Sequence, residues 1–465
     1  MKVMKFGGSS VKDAGRIRSA CEIVMEAYKN DKVATVFSAM KGITDELIAA
    51  AAEAEQGNKN YLARVATIET RHKETAGALL KPEDAEKLIS ESIDTLLKEL
   101  TGILHGVELV RECSLRSMDL VMSFGERLSC TIIAAYLQSS GADADFVDAR
   151  ECIVTNHRHG SAVVNFEVSN SKIKKRLKGV KGIPVITGFI ASTANGVTTT
   201  LGRNGSDFTA SIIGAAAGAN SIEIWTDVDG VLSADPRCVD NAFVINQLSI
   251  EEAMELSFFG AEVIHPYTMI PAVENNIPIW IKNTMNPTVP GTIIAKKVKR
   301  HEYPITGIAS IENCSLINVE GGGMLGVPGI ASRVFNALAR SEINIIMISQ
   351  ASSEHSICIV CRSAEAGRAA EALETELAWE LEERSVNQVE IVKDLEIIAI
   401  IGENMRGTPG ISGMLFSALG KAEVNVLAIA QGSSERNISF VIQGQEKKKA
   451  LTAIHSAFLE QEVDV

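Results

Sequence analysis

Val3-Met4-Lys5-Phe6-Gly7-Gly8-Ser9-Ser10-Val11 is the stretch whose reading decides the fold. Val3, Met4 and Phe6 read as a short buried strand. The glycine pair breaks it, and two hydroxyls then open a helix predicted to run through Ile23. Strand, glycine-rich turn and helix N-terminus together make a place for phosphate. Glycines let backbone N–H groups approach an anion, and the helix dipole favours negative charge there. Lys5 adds a full positive charge at the strand end. A plain strand-to-helix turn carries the same glycine pair, and no Gly-Lys-Ser/Thr follows four residues after a glycine, so this is not the Walker sequence. What decides between the two readings lies downstream.

A chain of 465 residues is too long for one core, so two to four domains are expected. Apolar residues make up 46%, ample for buried cores, while aromatics are sparse at 5%. No apolar run reads as long enough to span a bilayer, and the start lacks the pattern of a secretory signal. The expectation is a cytoplasmic protein. A net charge of −13 argues against nucleic-acid and membrane partners, so an anionic ligand must be attracted by local lysines, arginines and helix ends. Eight cysteines are scattered without a framework, which suits a reducing compartment. Cys358 and Cys361 spell C-x-x-C, but in a β-like run, where residues three apart point to opposite faces. They read as strand cysteines, and no metal site is expected.

Residues 32–40 (KVATVFSAM) read as a second buried strand. Ser38 and Thr44 lie just past its end, where open α/β sheets bind ligands; capping a helix that begins near Asp45 is the other reading. From 45 to about 117 the composition shifts to Ala, Glu, Lys and Leu with a clear 3.6 period, a helical excursion whose role is scaffold. Gly125-Glu126-Arg127 reads as a break before an apolar helix through Leu137, either a solvated turn or a place where Glu126 holds an amine. Asn156-His157-Arg158-His159 reads as a surface loop, since no further Cys or His lies nearby.

Residues 183–190 are another all-apolar strand. Then Leu201-Gly202-Arg203-Asn204-Gly205-Ser206-Asp207 repeats the opening pattern of strand, glycine-bounded loop and helix, with the helix expected from Thr209 to Gly218. Asp207 suits a helix start, and an Arg with an Asp in one such loop also suits gripping an anion. Residues 222–228 form a strand ending in Thr226-Asp227, followed by a turn-rich loop through Asp235-Pro236-Arg237. A helix is expected from 249 to 259, and 277–282 (IPIWIK) as the last strand of this unit. A charged linker, 296–302, closes one domain near residue 300.

Beyond it the chain repeats. Residues 321–360 align without a gap to 402–441, an offset of 81, with 18 of 40 positions identical. Each copy reads as loop, helix, strand, turn, strand, helix. Such a pair suits a small regulatory or dimerising module.

Five segments stand in register with one family: Lys5-Phe-Gly-Gly-Ser-Ser-Val11, Ser123-Phe-Gly-Glu126, Leu201-Gly-Arg203-Asn-Gly-Ser-Asp207, Trp225-Thr-Asp227-Val and Asp235-Pro-Arg237. With the doubled tail, the chain resembles the aspartokinases over nearly its whole length. The resemblance implies an α/β amino acid kinase (carbamate kinase-like) domain at 1–300, its mostly parallel sheet sandwiched by helices. Two ACT domains of ferredoxin-like α+β fold follow at 301–390 and 391–465, with the C-terminal segment available to complete the first ACT sheet. It implies ATP- and Mg²⁺-dependent phosphorylation of the side-chain carboxylate of L-aspartate, in lysine, threonine and methionine biosynthesis.

Carried onto these residues, the resemblance makes Lys5 the phosphate-neutralising cation, with Gly7, Gly8 and Ser9 lining the turn and Asp207 orienting the lysine. Ser38, Thr44, Glu126, Phe189, Arg203 and Ser206 would hold aspartate. Thr226, Asp227, Leu232, Asp235, Arg237, Glu262, Val263 and Lys282 would surround the nucleotide. Family members often have tyrosine where Leu232 stands and lysine where Glu262 stands; Lys282 is the candidate to compensate. Met324, Gly326, Gln350, Gln431 and Asn437 would form effector sites. The glutamines point to threonine feedback, with lysine as the other effector, and the ACT pair to a homodimer or larger assembly. No dinucleotide-binding Gly-x-Gly-x-x-Gly follows the second repeat, so the expectation is a kinase without a fused dehydrogenase. The competing expectations are a related amino acid kinase and a catalytically impaired amino-acid sensor.

Overall fold

The computed structural model describes residues 1–260, 266–324, 329–350 and 355–460. Contacts divide the chain into two compact units. The first holds Met1–Val231, Asn246–Ile250 and Val263–Val298; the second holds Leu232–Ile245, Glu251–Glu262 and Lys299–Val465. Two segments ahead of residue 300 are thus counted with the C-terminal unit.

The first unit is built on an eight-stranded sheet in the order Ala144–Val147, Ile183–Thr187, Val33–Phe37, Lys2–Phe6, Ser221–Thr226, Ile279–Asn283, Thr292–Ala295, Gln247–Ser249. The first six strands are parallel. Every residue of Val33–Phe37 and Ile183–Thr187 is buried, because helices cover both faces and a β-branched run is soluble nowhere else. Ile279–Asn283 is not the last strand. Gly291, at φ +81°, turns the chain back so that Thr292–Ala295 pairs antiparallel with it. Phe6 stacks on Phe37 and Trp225 at 5.0 and 5.9 Å between ring centroids, making one aromatic row across three strands. Phe6→Ala would cost roughly 3–5 kcal/mol in such a core.

The helices depart from expectation in three places. Ser9 and Ser10 open only a 3₁₀ turn, Gly8–Val11, and the long helix Ala14–Asn30 starts where the Asp13 side chain accepts from the Arg16 amide. Gly42, at φ +85°, precedes the helix Ile43–Glu55, so neither Ser38 nor Thr44 is its cap. Gly125-Glu126-Arg127 is no turn. It lies inside the helix Phe124–Ser139, which follows Leu115–Met122 through Ser123. The 25 residues Leu115–Ser139 are, by length and composition, long and apolar enough to cross a membrane, contrary to the sequence reading. Of an apolar 18-residue window within this run, 72% is buried inside the protein, as for a core helix. The glycine is tolerated because Ala39 crowds it: a Cβ there would lie 2.8 Å from the Ala39 Cβ.

The second unit contains one six-stranded sheet in the order Met347–Gln350, Ser356–Arg362, Gly307–Glu320, Gln388–Ile401, Asn437–Gln443, Ala428–Ala430. All pairings are antiparallel. The 81-residue offset extends beyond the identities of the sequence: Gly307–Glu320 and Gln388–Ile401 are equivalent and pair with each other. Each long strand serves both copies. Residues 307–311 lie against 397–401, which pair with Asn437–Gln443, whereas 316–320 lie between 388–392 and Ser356–Arg362. The crossover is a bulge in each strand, with Asn313 at φ +57° and Asp394 at φ +58°. A strand thus runs through the expected boundary at 390. The first repeat is preceded by a strand that the identities do not reveal. Cys361 is buried in the helix-covered core, while Cys358 lies outside it with its thiol 3.5 Å from Asn318 Oδ1, and both are unpaired.

Candidate active site

The parallel strands deliver their C-terminal ends to one edge of the sheet, and some of the predicted residues lie there. Lys2–Phe6 leads into Gly7 and Gly8, Val33–Phe37 into Ser38, Ile183–Thr187 into Gly188 and Phe189, and Ser221–Thr226 into Asp227. Backbone bonds knit these ends together. Gly7 N–H donates to Trp225 O at 3.1 Å, Ser38 N–H to Phe6 O at 3.1 Å, and Gly188 N–H to Phe37 O at 2.9 Å. Ser10 Oγ reaches the Trp225 carbonyl and, at 2.7 Å, Thr284 Oγ1.

Lys5 and Asp207 form the centre of the site. The ammonium is 2.6 Å from Asp207 Oδ1, a close ion pair though poorly aligned for a hydrogen bond, and both residues are buried. A Cβ on Gly7 would sit 3.5 Å from Lys5 Nζ, so the cation lies directly against the turn. The amides of Gly8 and Ser9 have no acceptor among the described residues. Two outward amides beside a buried ammonium are an anion cradle. Asp207 is not a helix cap. The helix begins earlier, at Gly205, with Asn204 at φ +54° before it, which puts Asp207 in the first turn facing Lys5.

Glu126 is 3% exposed. Its Oε1 accepts the Ala39 amide at 3.2 Å, while Oε2 is buried with no partner among the described residues. Burial pushes its carboxyl up to about 8 against the opposing help of backbone hydrogen bonds. A buried acid with an empty oxygen is built to meet a cation. Ser38 is held beside it, its carbonyl accepting Ser129 Oγ at 2.8 Å. Thr44 sits in the first turn of Ile43–Glu55, next to Ile43, which packs against Gly125.

The third wall comes from the loops around 188 and 203. Phe189 is held at φ +65°, a left-handed conformation unusual for an aromatic residue, by its N–H donating to Thr209 Oγ1 at 3.1 Å. Ser206 is pressed on Gly188, where a Cβ would come 2.5 Å from Ser206 Oγ. Arg203 is exposed and has no ion pair among the described residues.

Other sequence-predicted residues fall elsewhere. Lys282 is in register with Trp225 and hence with Phe6. That row faces away from Lys5. Its ammonium lies 5.1 Å over the Trp225 ring and 4.0 Å from Glu223 Oε1, so the expected nucleotide contact is corrected to a core cation–π contact. Leu232, Asp235 and Arg237 belong to the second unit, where Arg237 Nη2 lies 2.8 Å from Asp235 Oδ2 and holds that carboxyl below the usual range. Glu262, Val263 and Gly326 lie outside the described residues. Met324 is buried in the turn Gly322–Met324, and Gln350 is exposed at the end of its strand. In the second repeat a cavity of about 380 Å³ is lined by Met405, Gly410, Ser412, Gln431 and Glu435. Asn437 is not among its lining residues. Its side-chain amide is hydrogen-bonded to Glu255.

Sequence reasoning missed Asp119 and misread His159. Asp119 is fully buried, and His159 Nδ1 lies 2.7 Å from its Oδ2. The 156–159 loop is therefore anchored to the core. A lone aspartate in an amphipathic helix gave no signal of this. No cluster of three or more His, Cys, Asp or Glu able to hold a metal occurs among the described residues.

Residues 1–283 match the amino acid kinase family, and 317–377 and 398–458 match the ACT domain. The chain is 34% identical, over 98% of its length and 81% of the relative's, to aspartokinase 3, chloroplastic, of Arabidopsis thaliana. The chain belongs to the aspartokinases. It is also 39% identical over 463 residues to the bifunctional aspartokinase/homoserine dehydrogenase 2, chloroplastic, of the same plant, covering 98% of this chain and 50% of that protein. The chain spans about half the length of the bifunctional relatives it matches. Among solved structures, E. coli aspartokinase III in complex with aspartate and ADP superposes with a TM-score of 0.80 at 29% identity, covering 99% of this chain and 100% of that one. The same enzyme in complex with lysine and aspartate gives 0.79 at 30% identity, covering 99% of each.

Proposed function

We propose that the chain transfers the γ-phosphoryl group of ATP to the side-chain carboxylate of L-aspartate, giving 4-phospho-L-aspartate, under feedback control by an amino acid bound at the ACT pair. The observation that carries this is the Lys5–Asp207 pair against the Gly7-Gly8 turn. It offers a fixed positive charge and two unspent amides at one point.

The chemistry asks for little else. An aspartate side chain is ionised at neutral pH, with a reference pKa of about 3.9, so the nucleophile needs no general base. Phosphoryl transfer then depends on alignment and on neutralising charge at the equatorial oxygens. Lys5 and the Gly8 and Ser9 amides supply that neutralisation, and Asp207 keeps the lysine pointed at the turn. Arg203, exposed on its loop, is free to clamp the α-carboxylate with both nitrogens. Glu126 takes the α-ammonium at its empty Oε2, and the incoming cation drives its carboxyl to give up its proton. Phe189 and Ser206 wall the aspartate from the side of Gly188. Thr226 and Asp227, at the neighbouring strand end, suit the nucleotide. Magnesium bound to the phosphates adds charge neutralisation. Such a magnesium ion would be held largely by the phosphates, as this ion usually is.

The effector reading rests on the second-repeat cavity. Gly410, at φ +93°, precedes the helix Ile411–Lys421, whose first residues line the cavity, a place for a carboxylate. Glu435 offers an acidic partner for an ammonium, and Gln431 can read a side-chain hydroxyl, which favours threonine over lysine. Such an effector acts by binding a less active state more tightly. The equivalent surface of the two repeats is also where we place self-association.

The test is Mg·ATP turnover with L-aspartate, trapping the acyl phosphate with hydroxylamine, with and without threonine or lysine. Hydroxamate from aspartate but not from glutamate is expected, with inhibition by millimolar threonine. No product from either acid refutes the kinase reading; product that threonine leaves untouched refutes the effector.

A further inference from the structure

Asp119 plays no part in the chemistry above, yet it is the most completely satisfied buried acid near the site. It stands on Leu115–Met122 with no exposed surface. Its Oδ1 accepts Thr200 Oγ1 at 2.6 Å, its Oδ2 accepts His159 Nδ1 at 2.7 Å, and the Gly160 amide donates to both oxygens at 3.1 Å. A buried carboxyl group is costly unless its lone pairs are filled, and here three donors from two separate segments fill them.

What those donors belong to matters more than their number. Thr200 ends the strand Thr198–Thr200 and is followed by Leu201-Gly202-Arg203. Gly160 also approaches that loop, since a Cβ on Gly202 would lie 3.4 Å from Gly160 O. On the other side, the helix of Asp119 runs straight into the helix of Glu126: Ser123 N–H donates to Asp119 O at 3.1 Å, and Arg127 N–H donates to Ser123 O at 3.2 Å. One carboxyl group therefore ties the helix that leads into the one carrying Glu126 to the strand that leads into the loop of Arg203.

We propose that Asp119, with His159 and Thr200, is a positioning group. It sets the separation between Glu126 and Arg203, the two residues that grip the ammonium and carboxylate of the amino-acid substrate. This rests on the aspartate-kinase reading. Neither Asp119 nor His159 touches substrate. Loosening the tie lets the two charged groups drift apart, which weakens aspartate binding and leaves the phosphate turn at Lys5 unaffected.

The experiment measures KM for aspartate and for Mg·ATP, kcat and Tm in Asp119→Asn, Thr200→Val, His159→Ala and His159→Asn. Removing a buried hydrogen bond of this kind is worth about a three- to tenfold change. Asp119→Asn is expected to raise KM for aspartate about tenfold and Thr200→Val about threefold, each with KM for Mg·ATP moved less than twofold. His159→Asn, whose Nδ2 can stand in for Nδ1, is expected to recover most of what His159→Ala loses. Equal rises in both KM values with a falling Tm would make Asp119 a structural residue and overturn the proposal; so would an unchanged aspartate KM in all four variants. If Asp119→Asn fails to fold, the Thr200 and His159 variants decide alone. Wild-type protein assayed alongside separates this from the broader reading, because absence of hydroxamate there refutes the kinase itself.

Discussion

The two glycine-rich turns of the first unit share a pattern in sequence and differ in what their glycines do. Gly7 and Gly8 have ordinary backbone conformations, with Gly7 at φ −72°. Glycine at 8 is needed for closeness: a Cβ there would come 3.0 Å from the Ala39 carbonyl, whereas one on Gly7 would stand in ordinary contact, 3.5 Å, with Lys5 Nζ. At 202–205 the backbone itself is unusual, with Gly202 at φ +79° and Asn204 at +54°. The first turn brings amides and a buried lysine up to an anion. The second turns a strand sharply into a helix, buries Asp207 against Lys5 and leaves Arg203 in solvent. One turn is built for charge neutralisation and the other for recognition.

That division is most severely tested by losing the buried cation. Lys5→Ala removes charge where it develops in the transition state, and kcat is expected to fall by about a thousandfold with little change in KM for aspartate. Arg203→Ala should do the reverse, raising KM for aspartate about a hundredfold while kcat stays within several-fold. Steady-state kinetics with the hydroxylamine trap reads both. If the two variants lose the same parameter, the turns do not divide the work.

Glu126 gives a pH-dependent version of the same test. Its carboxyl holds a proton up to about 8 in the fold, against an ordinary value of 4.5. Its contribution to stability is therefore full below about 4.5, shrinks as pH rises, and is gone above about 8, because the unfolded chain releases the proton first. Glu126→Gln is expected to match wild-type Tm at pH 5 and to exceed it by several degrees at pH 8.5. With aspartate the sign reverses. The ammonium needs the ionised form, so binding at pH 7 should release close to one proton per site, and the release should vanish in Glu126→Gln. Calorimetry in buffers of different ionisation enthalpy measures it; release that persists in the variant would remove Glu126 from the site.

Much of this was legible because buried parallel strands announce themselves. Runs such as VATVF and IPVIT are almost wholly apolar on both faces, and each is followed by a small residue, Ser38 or Gly188, at the sheet edge. The helix ends were less legible. Serine at 9 and 10 looked like a start, but Asp13 supplies the cap, and Gly125 looked like a break, but its missing Cβ serves a close crossing. The long strands of the second unit were hidden for another reason. At the 81-residue offset 307–320 and 388–401 share only Ile317 and Ile398, because a strand pairing through its backbone asks only for β-branched and apolar types. Lys282 was misassigned because a strand end alone does not say which face a side chain takes; the register with Trp225 does.

The smallest effect separates conformation from space at single glycines. At 202 the left-handed backbone penalises alanine by about 1–2 kcal/mol, whereas asparagine visits that region more easily. There is also room, since the nearest atoms to a Cβ are 3.4 Å away. Gly202→Asn should therefore recover at least half of the stability that Gly202→Ala loses. At 8 the order should invert. Any Cβ meets the Ala39 carbonyl, and the larger asparagine gains nothing from a backbone that is not left-handed. Gly8→Ala should raise KM for Mg·ATP a few-fold and Gly8→Asn by more, with KM for aspartate unchanged. Thermal melts and the two KM values, measured on the four variants side by side, check this. An asparagine that rescues position 8 as it does position 202 would mean that both turns require the left-handed conformation, and the distinction between them would rest on Lys5 and Arg203 alone.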